Sequence, residues 1–116
     1  IFFVRKLNKF DIEEFSNKFL KKGLFRKGAN ISFVEKISDG GWKANIYERG
    51  AGITKSCGSA ACAIAVSSKS LRHPYKKSNY VHMQGGKALV KWSGNINDSV
   101  FLVGKAEYTF NGNFIL

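Results

Sequence analysis

Acidic residues are scarce in this chain: eight Asp and Glu stand against nineteen Lys and Arg in 116 residues, a formal charge of +11. It has one proline, one methionine, two histidines and two cysteines. Cys57 and Cys62, five residues apart, match neither zinc-ligand spacing nor a disulfide framework. Both fall in one short Ala-rich stretch, a poor geometry for a bridge between neighbouring elements. A reducing, cytoplasmic compartment is therefore expected. His73 and His82 have no partner at a catalytic spacing. No run approaches eighteen uninterrupted apolar residues, so no membrane partner is expected. Ile1-Phe2-Phe3-Val4 is too short for a secretion signal and has no basic segment before it.

The basic excess suits a nucleic-acid surface, but the cations are dispersed. Lys21-Lys22 and Lys76-Lys77 are the only adjacent lysines, and no aromatic-glycine signature for base stacking accompanies them. No nucleic-acid partner is expected, and the field suits attraction of a ligand bearing carboxylates. What the chain has in quantity is apolar material: 44% hydrophobic residues, ten of them Phe. One domain of this length buries about two-thirds of its unfolded surface.

Ile1 to Val4 reads as a strand. Asp11 three residues before Glu14 is a capping-box pattern. Ile12, Phe15, Phe19 and Leu20 recur at helical spacing, so an amphipathic helix is expected over 11–22, ended by Gly23. Asn30 to Ile37 and Trp42 to Glu48 read as strands around an Asp39-Gly40-Gly41 hairpin turn. Gly58 to about Lys69 is helical and apolar on almost every side, which places it within a surrounding sheet. His73-Pro74 follows its end. Strands are then expected at Asn79–Met83, Lys87–Ser93, Val100–Val103, Ala106–Phe110 and Asn113–Ile115. Gly85-Gly86, Ser93-Gly94-Asn95 and Asn111-Gly112 punctuate them. No repeat, linker or low-complexity tract interrupts the chain. The fold class is α+β, mostly antiparallel strands wrapped around one central buried helix.

One stretch carries chemistry. Glu48-Arg49-Gly50-Ala51-Gly52-Ile53-Thr54-Lys55-Ser56-Cys57-Gly58-Ser59-Ala60-Ala61-Cys62 places a thiol where a Gly-rich loop turns into a helix, just after a charge pair. A helix N-terminus presents unpaired N–H groups and a partial positive charge. That single device stabilises a thiolate and holds a carboxylate. A strand, a glycine loop and a helix bearing a core cysteine fit the same spacing.

The run Glu-Arg-Gly-Ala-Gly-x-Thr-x-x-Cys-Gly-Ser-x-Ala-Cys resembles the C-terminal catalytic signature of diaminopimelate epimerases. Gly85-Gly86-Lys87-Ala88-Leu89-Val90-Lys91-Trp92 is similar to that family's Gly-Gly hairpin. Val100 to Glu107 is similar to its Val-x-x-x-Gly-x-Ala-Glu strand pair, and Gly28 to Phe33 to its Gly-x-Asn-x-x-Phe segment. The resemblance implies two similar domains, each a curled sheet around a helix, with the active site between them. The chain then corresponds to a C-terminal diaminopimelate epimerase-like domain over residues 1–116, incomplete at its N-terminus.

The implied reaction interconverts LL- and meso-diaminopimelate in lysine and peptidoglycan-precursor biosynthesis, with two cysteines and no pyridoxal phosphate or other cofactor. Cys57 takes the position of the second catalytic cysteine. The Gly58 and Ser59 N–H groups bind the α-carboxylate. Glu48 and Arg49 are substrate-binding residues, Glu48 accepting from the ammonium, and the Asn30 amide contacts the distal carboxylate and amine. The implied partners are the small-molecule substrate and the enzyme's N-terminal half, which holds the other cysteine; a homodimer is compatible. This chain by itself is then expected to be inactive.

Departures from the pattern are Ile53, where an acidic residue is common, and Ala60, where glycine is commoner. Cys62 reads as core packing. Two other functions stand beside it: a non-catalytic binding or remnant module of the same fold, and a proline racemase-like isomerase, against which the Glu-Arg-Gly-x-Gly run argues.

Overall fold

The computed structural model describes residues 1–71 and 76–115; the expected helix-terminating His73-Pro74 lies outside them. The elements run β1 (Phe2–Val4), a 3-10 turn (Leu7–Lys9), α1 (Ile12–Leu20), β2 (Ile31–Lys36), β3 (Trp42–Glu48), β4 (Gly52–Thr54), α2 (Gly58–Ser67), a 3-10 turn (Ser68–Ser70), β5 (Ser78–Met83), β6 (Gly86–Lys91) and β7 (Phe101–Val103). One seven-stranded sheet has the order β1-β2-β3-β5-β6-β7, with β4 added to β3 off that path. The β1–β2 and β3–β5 pairs are parallel and the remaining four antiparallel.

The alternation of side chains along a strand divides the core in two. On β2, Ile31 and Phe33 face α1, while Val34 turns to the opposite side. The α1 side gathers Leu7, Ile12, Phe15, Phe19 and Leu20 against Phe2 and Phe33. The Phe2 ring centroid is 5.1 Å from that of Phe15, edge-on, and 5.4 Å from that of Phe33, stacked. Asp11 is the N-cap of α1, its side chain accepting from the Glu14 N–H. The helix stops at Leu20, two residues short of the expected 11–22, and positive-φ Gly23 follows.

On the other side α2 packs Ala60, Ala61, Ile64 and Ala65 against Val34, Ala44 and Ile46 from one part of the sheet and Val81, Ala88 and Val90 from the other. The sheet curls over this helix without closing, and Ser59 and Ala63 stay exposed on its open side. An Ala-rich helix permits the close approach this needs, because small side chains bring helix and strands together.

The fork in the sheet at β3 positions the site. Its C-terminal half, Ile46 to Glu48, pairs with β4, while Trp42 and Lys43 at its other end pair with β5. Ala44 and Asn45 between them have no strand partner on that edge among the described residues. A cleft of ≈ 450 Å³ occupies the fork, lined by Lys43, Asn45, Thr54, His82, Met83 and Gln84 among others.

Two expected strands are absent. Residues 106–110 and 113–115 form no regular structure, and Tyr108, Phe110, Phe114 and Ile115 are each more than 80% exposed. Their alternation around Asn111-Gly112 is that of a hairpin, but a strand exists only where its N–H and C=O groups meet a neighbour. The outer edge of β7 meets no further strand among the described residues.

At the β1–β2 end, the Glu35 carboxylate accepts from the Leu7 N–H and from Lys6 Nζ, both at 2.9 Å. The Leu7 hydrogen bond first, then Lys6, holds its carboxyl below the usual range. A carboxyl lowered on folding stabilises the native state above its unfolded pKa and loses that contribution as pH falls through the folded value. The melting temperature of the wild type is therefore expected to fall more steeply than that of Glu35→Gln as pH drops below about 4.5. Parallel curves would remove Glu35 as a source of acid sensitivity.

Candidate functional site at the start of the buried helix

The segment from Glu48 to Cys57 is held at both ends. A tight turn, with the Ala51 N–H donating to the Glu48 carbonyl at 3.1 Å, reverses the chain into β4. Gly50 and Gly52 there have φ of +82° and +73°, a conformation that strains any side-chain-bearing residue. The Lys55 carbonyl then accepts from the Gly85 N–H at 2.6 Å, which ties the loop to the β5–β6 turn.

Cys57 follows as the N-cap of α2, extended at φ −147° and ψ 112°, with no side-chain cap bond. Its carbonyl accepts the first helical bond, from Ala61 N at 3.0 Å. The N–H groups of Gly58 and Ser59 thus belong to the unpaired first turn of the helix, with its partial positive charge. Cys57 is buried, 8% exposed as a residue, with Sγ 3.3 Å from Ser59 Oγ. Its own N–H donates to Met83 Sδ at 3.4 Å.

A Cβ at Gly58 would lie 2.8 Å from Leu102 Cδ2 of β7, so a methyl group there has to displace the tip of that half-exposed side chain. A groove of ≈ 780 Å³ runs past this point, lined by Ser56, Gly58, Met83, Gly86, Leu102 and Lys105 among others.

A second group forms at the far end of β4. The Arg49 N–H donates to Asn30 Oδ1 at 2.9 Å, and Arg49 Nη1 to the Lys27 carbonyl at 2.8 Å. The bond from Arg49 engages the amide oxygen of Asn30 and orients the side chain, whose NH2 remains as a donor. The Thr54 hydroxyl donates to Glu48 Oε1 at 2.6 Å. The adjacent Glu48 and Arg49 are not paired with each other: no ion pair joins them, and each is held by a different neighbour.

The six expected site residues therefore fall into two groups at the ends of one short strand, Cys57, Gly58 and Ser59 at one and Asn30, Glu48 and Arg49 at the other. Ile53 is about half exposed. Cys62 packs against the core, and burial pushes its thiol up. His82 Nε2 lies 3.6 Å from Asp39 Oδ2, on the cleft at the fork. Sequence reading missed Met83, which is twenty-six residues from the amide it contacts. The Gly85-Gly86 turn directly after it was the only available signal. Together the site offers a thiol, a pair of unpaired N–H donors beside it, a carboxylate and an amide NH2. That set can bind a carboxylate and exchange a proton next to it.

Comparison with known proteins bears on this geometry. The family model described as diaminopimelate epimerase matches residues 1–109. The chain belongs to the diaminopimelate epimerase family. It is 32% identical to the diaminopimelate epimerase of Bacillus pumilus over 100% of the chain and 40% of that protein. It is 36% identical to that of Mesorhizobium japonicum over 98% of the chain and 38% of the relative. The chain thus spans about 40% of the length of these relatives. A solved phenazine-biosynthesis PhzC/PhzF protein from Clostridium difficile superposes with a TM-score of 0.59 at 18% identity, over 80% of the chain and 33% of that protein. That likeness concerns the fold. The epimerase-like curled sheet therefore agrees with both the family match and the solved structure. No described helix is long and apolar enough to cross a membrane.

Proposed function

We propose that this chain forms one half of the active site of a cofactor-independent diaminopimelate epimerase and supplies Cys57 as one of two acid/base groups. The observation that carries the reading is the thiol at the N-cap of α2, directly followed by the unpaired N–H groups of Gly58 and Ser59. Removing a proton from an amino-acid α-carbon without an electron sink requires the developing enolate charge to be met by fixed donors. The α-carboxylate seated on the Gly58 and Ser59 amides puts those donors on the oxygens where that charge appears. Cys57 then stands beside the α-carbon on one face, taking or giving the proton.

At the other end of β4, Glu48 accepts hydrogen bonds from the substrate ammonium. The Asn30 NH2 and the free Arg49 donors take a distal carboxylate, consistent with the commitment of Asn30 Oδ1 to Arg49. Inversion needs a second thiol on the opposite face. Cys62 does not supply it, because it packs against the core on the same helix. The second thiol belongs to an N-terminal half, in keeping with relatives about two and a half times this chain's length. The exposed apolar segment from Phe101 to Ile115 supports docking to that half. This chain by itself binds one face of the substrate and does not complete the turnover. Two free thiols support a reducing, cytoplasmic setting.

Turnover by the intact protein tests the reading. Chiral separation is expected to show LL- and meso-diaminopimelate interconverting, with L-proline unchanged. Racemised proline would favour the other isomerase class. A bound but unconverted diaminopimelate would favour a non-catalytic module.

A further inference from the structure

We propose that Thr54 is a positioning residue that fixes the Glu48 carboxylate and ties it to the loop carrying Cys57; the role given to Glu48 rests on the epimerase reading, and the tie to the loop does not. The Thr54 hydroxyl donates to Glu48 Oε1 at 2.6 Å, within the short range of an O–H bond to an ionised carboxylate. The contact is diagonal across the β3–β4 pair, since Thr54 lies opposite Ile46 and Glu48 opposite Gly52. It occupies one carboxylate oxygen, stops rotation of the group, and leaves the other oxygen for a cation.

Its position in the chain gives it a second effect. β4 is three residues long and is entered through two positive-φ glycines, Gly50 and Gly52. Such a strand has little stiffness of its own. Three successive ties hold the descent into the helix: the Thr54 side chain to β3, the Lys55 carbonyl to Gly85, and the Cys57 N–H to Met83. Thr54 is the first of these and the only one that also touches a group of the second cluster. A ligand drawing on Glu48 thereby draws on the strand that leads to the thiol.

The test compares Thr54→Val, Thr54→Ser and Glu48→Gln in the intact protein, with Thr54→Ala replacing valine if that variant fails to fold. Two readouts are taken: KM and kcat for LL-diaminopimelate, and the rate of iodoacetamide alkylation at Cys57 relative to Cys62, the two thiols being told apart by fragmentation of the one peptide that carries both. Valine keeps the strand-forming shape and removes only the hydroxyl. It is expected to raise KM about tenfold, the size of one lost hydrogen bond to a charged group, with kcat within about threefold. It should also speed Cys57 alkylation by a factor of about three or more, as the loop loosens. Serine should restore both values, and adding Thr54→Val to Glu48→Gln should change little further.

Alkylation at the wild-type rate in Thr54→Val overturns the tie to the loop, and an unchanged KM overturns the positioning of Glu48. If alkylation follows the expected pattern while the wild type converts no substrate, the tie stands and the epimerase reading falls.

Discussion

Serine in place of Cys57 lowers α-proton exchange on diaminopimelate by a factor of about 10³ while leaving the fold intact. The size follows from the chemistry: a positioned general acid/base contributes about 10²–10⁴ in rate. A serine hydroxyl has nearly the shape of the thiol but a pKa far too high to serve as the base. The fold survives because Cys57 is the N-cap of α2 and its side chain makes no capping bond. Serine is among the favoured N-cap residues and would gain such a bond with the first-turn amides. The melting temperature is therefore expected to hold or rise by a few degrees. A variant that loses exchange and melts early would mean that Cys57 is a packing residue. A variant that keeps full exchange would remove it from the chemistry.

The second large effect concerns stability. Ile64 is fully buried at the centre of α2, in the cluster where Val34, Ile46, Val81 and Val90 meet from both arms of the sheet. Truncation to alanine removes its apolar contacts and leaves a cavity that neither arm can fill without moving, a change that costs about 2–5 kcal/mol. Native domains are stable by only about 5–15 kcal/mol, and 1 kcal/mol shifts the melting temperature of a chain this size by about 4 °C or more. Ile64→Ala should thus lower the melting temperature by about 10–20 °C. Ala63→Ser, on the exposed side of the same helix, should shift it by no more than a few degrees. Calorimetry on the two variants measures the contrast, and equal effects would contradict α2 as the centre of the core.

Local signals made much of this fold legible. Trp42 to Glu48 is a strand with the expected bounds, and the Asp39-Gly40-Gly41 turn is built as its composition suggests, with Asp39 Oδ1 accepting from Gly41 N at 2.7 Å. Both helices follow from spacing and composition that act within a few residues. β4 was not legible, because two β-branched residues after a glycine are too short a run to mark a strand until β3 is beside them. The fork at β3 is a matter of register between distant segments, which no local pattern encodes. Tyr108, Phe110 and Phe114 give the opposite lesson: the alternation is present, but no strand pairs with it among the described residues.

The site divides in the same way. Cys57, Gly58 and Ser59 are contiguous, so a loop running into a helix already sets them together. The sharing of Asn30 Oδ1 with the Arg49 N–H, nineteen residues away, and the contact of Met83 with the Cys57 N–H depend on strand pairing and emerge only in the folded chain.

The central claim is that Cys57 is one of two acid/base groups split between two halves of an enzyme. Deuterium incorporation at the α-carbon of LL- and meso-diaminopimelate in heavy water tests it most directly, with this chain alone, with an N-terminal half added, and with Cys57→Ser in the combination. The account predicts incorporation with inversion only when both halves are present, and its loss in the variant. Full incorporation and inversion by this chain alone, or undiminished activity of Cys57→Ser in the combination, would contradict it.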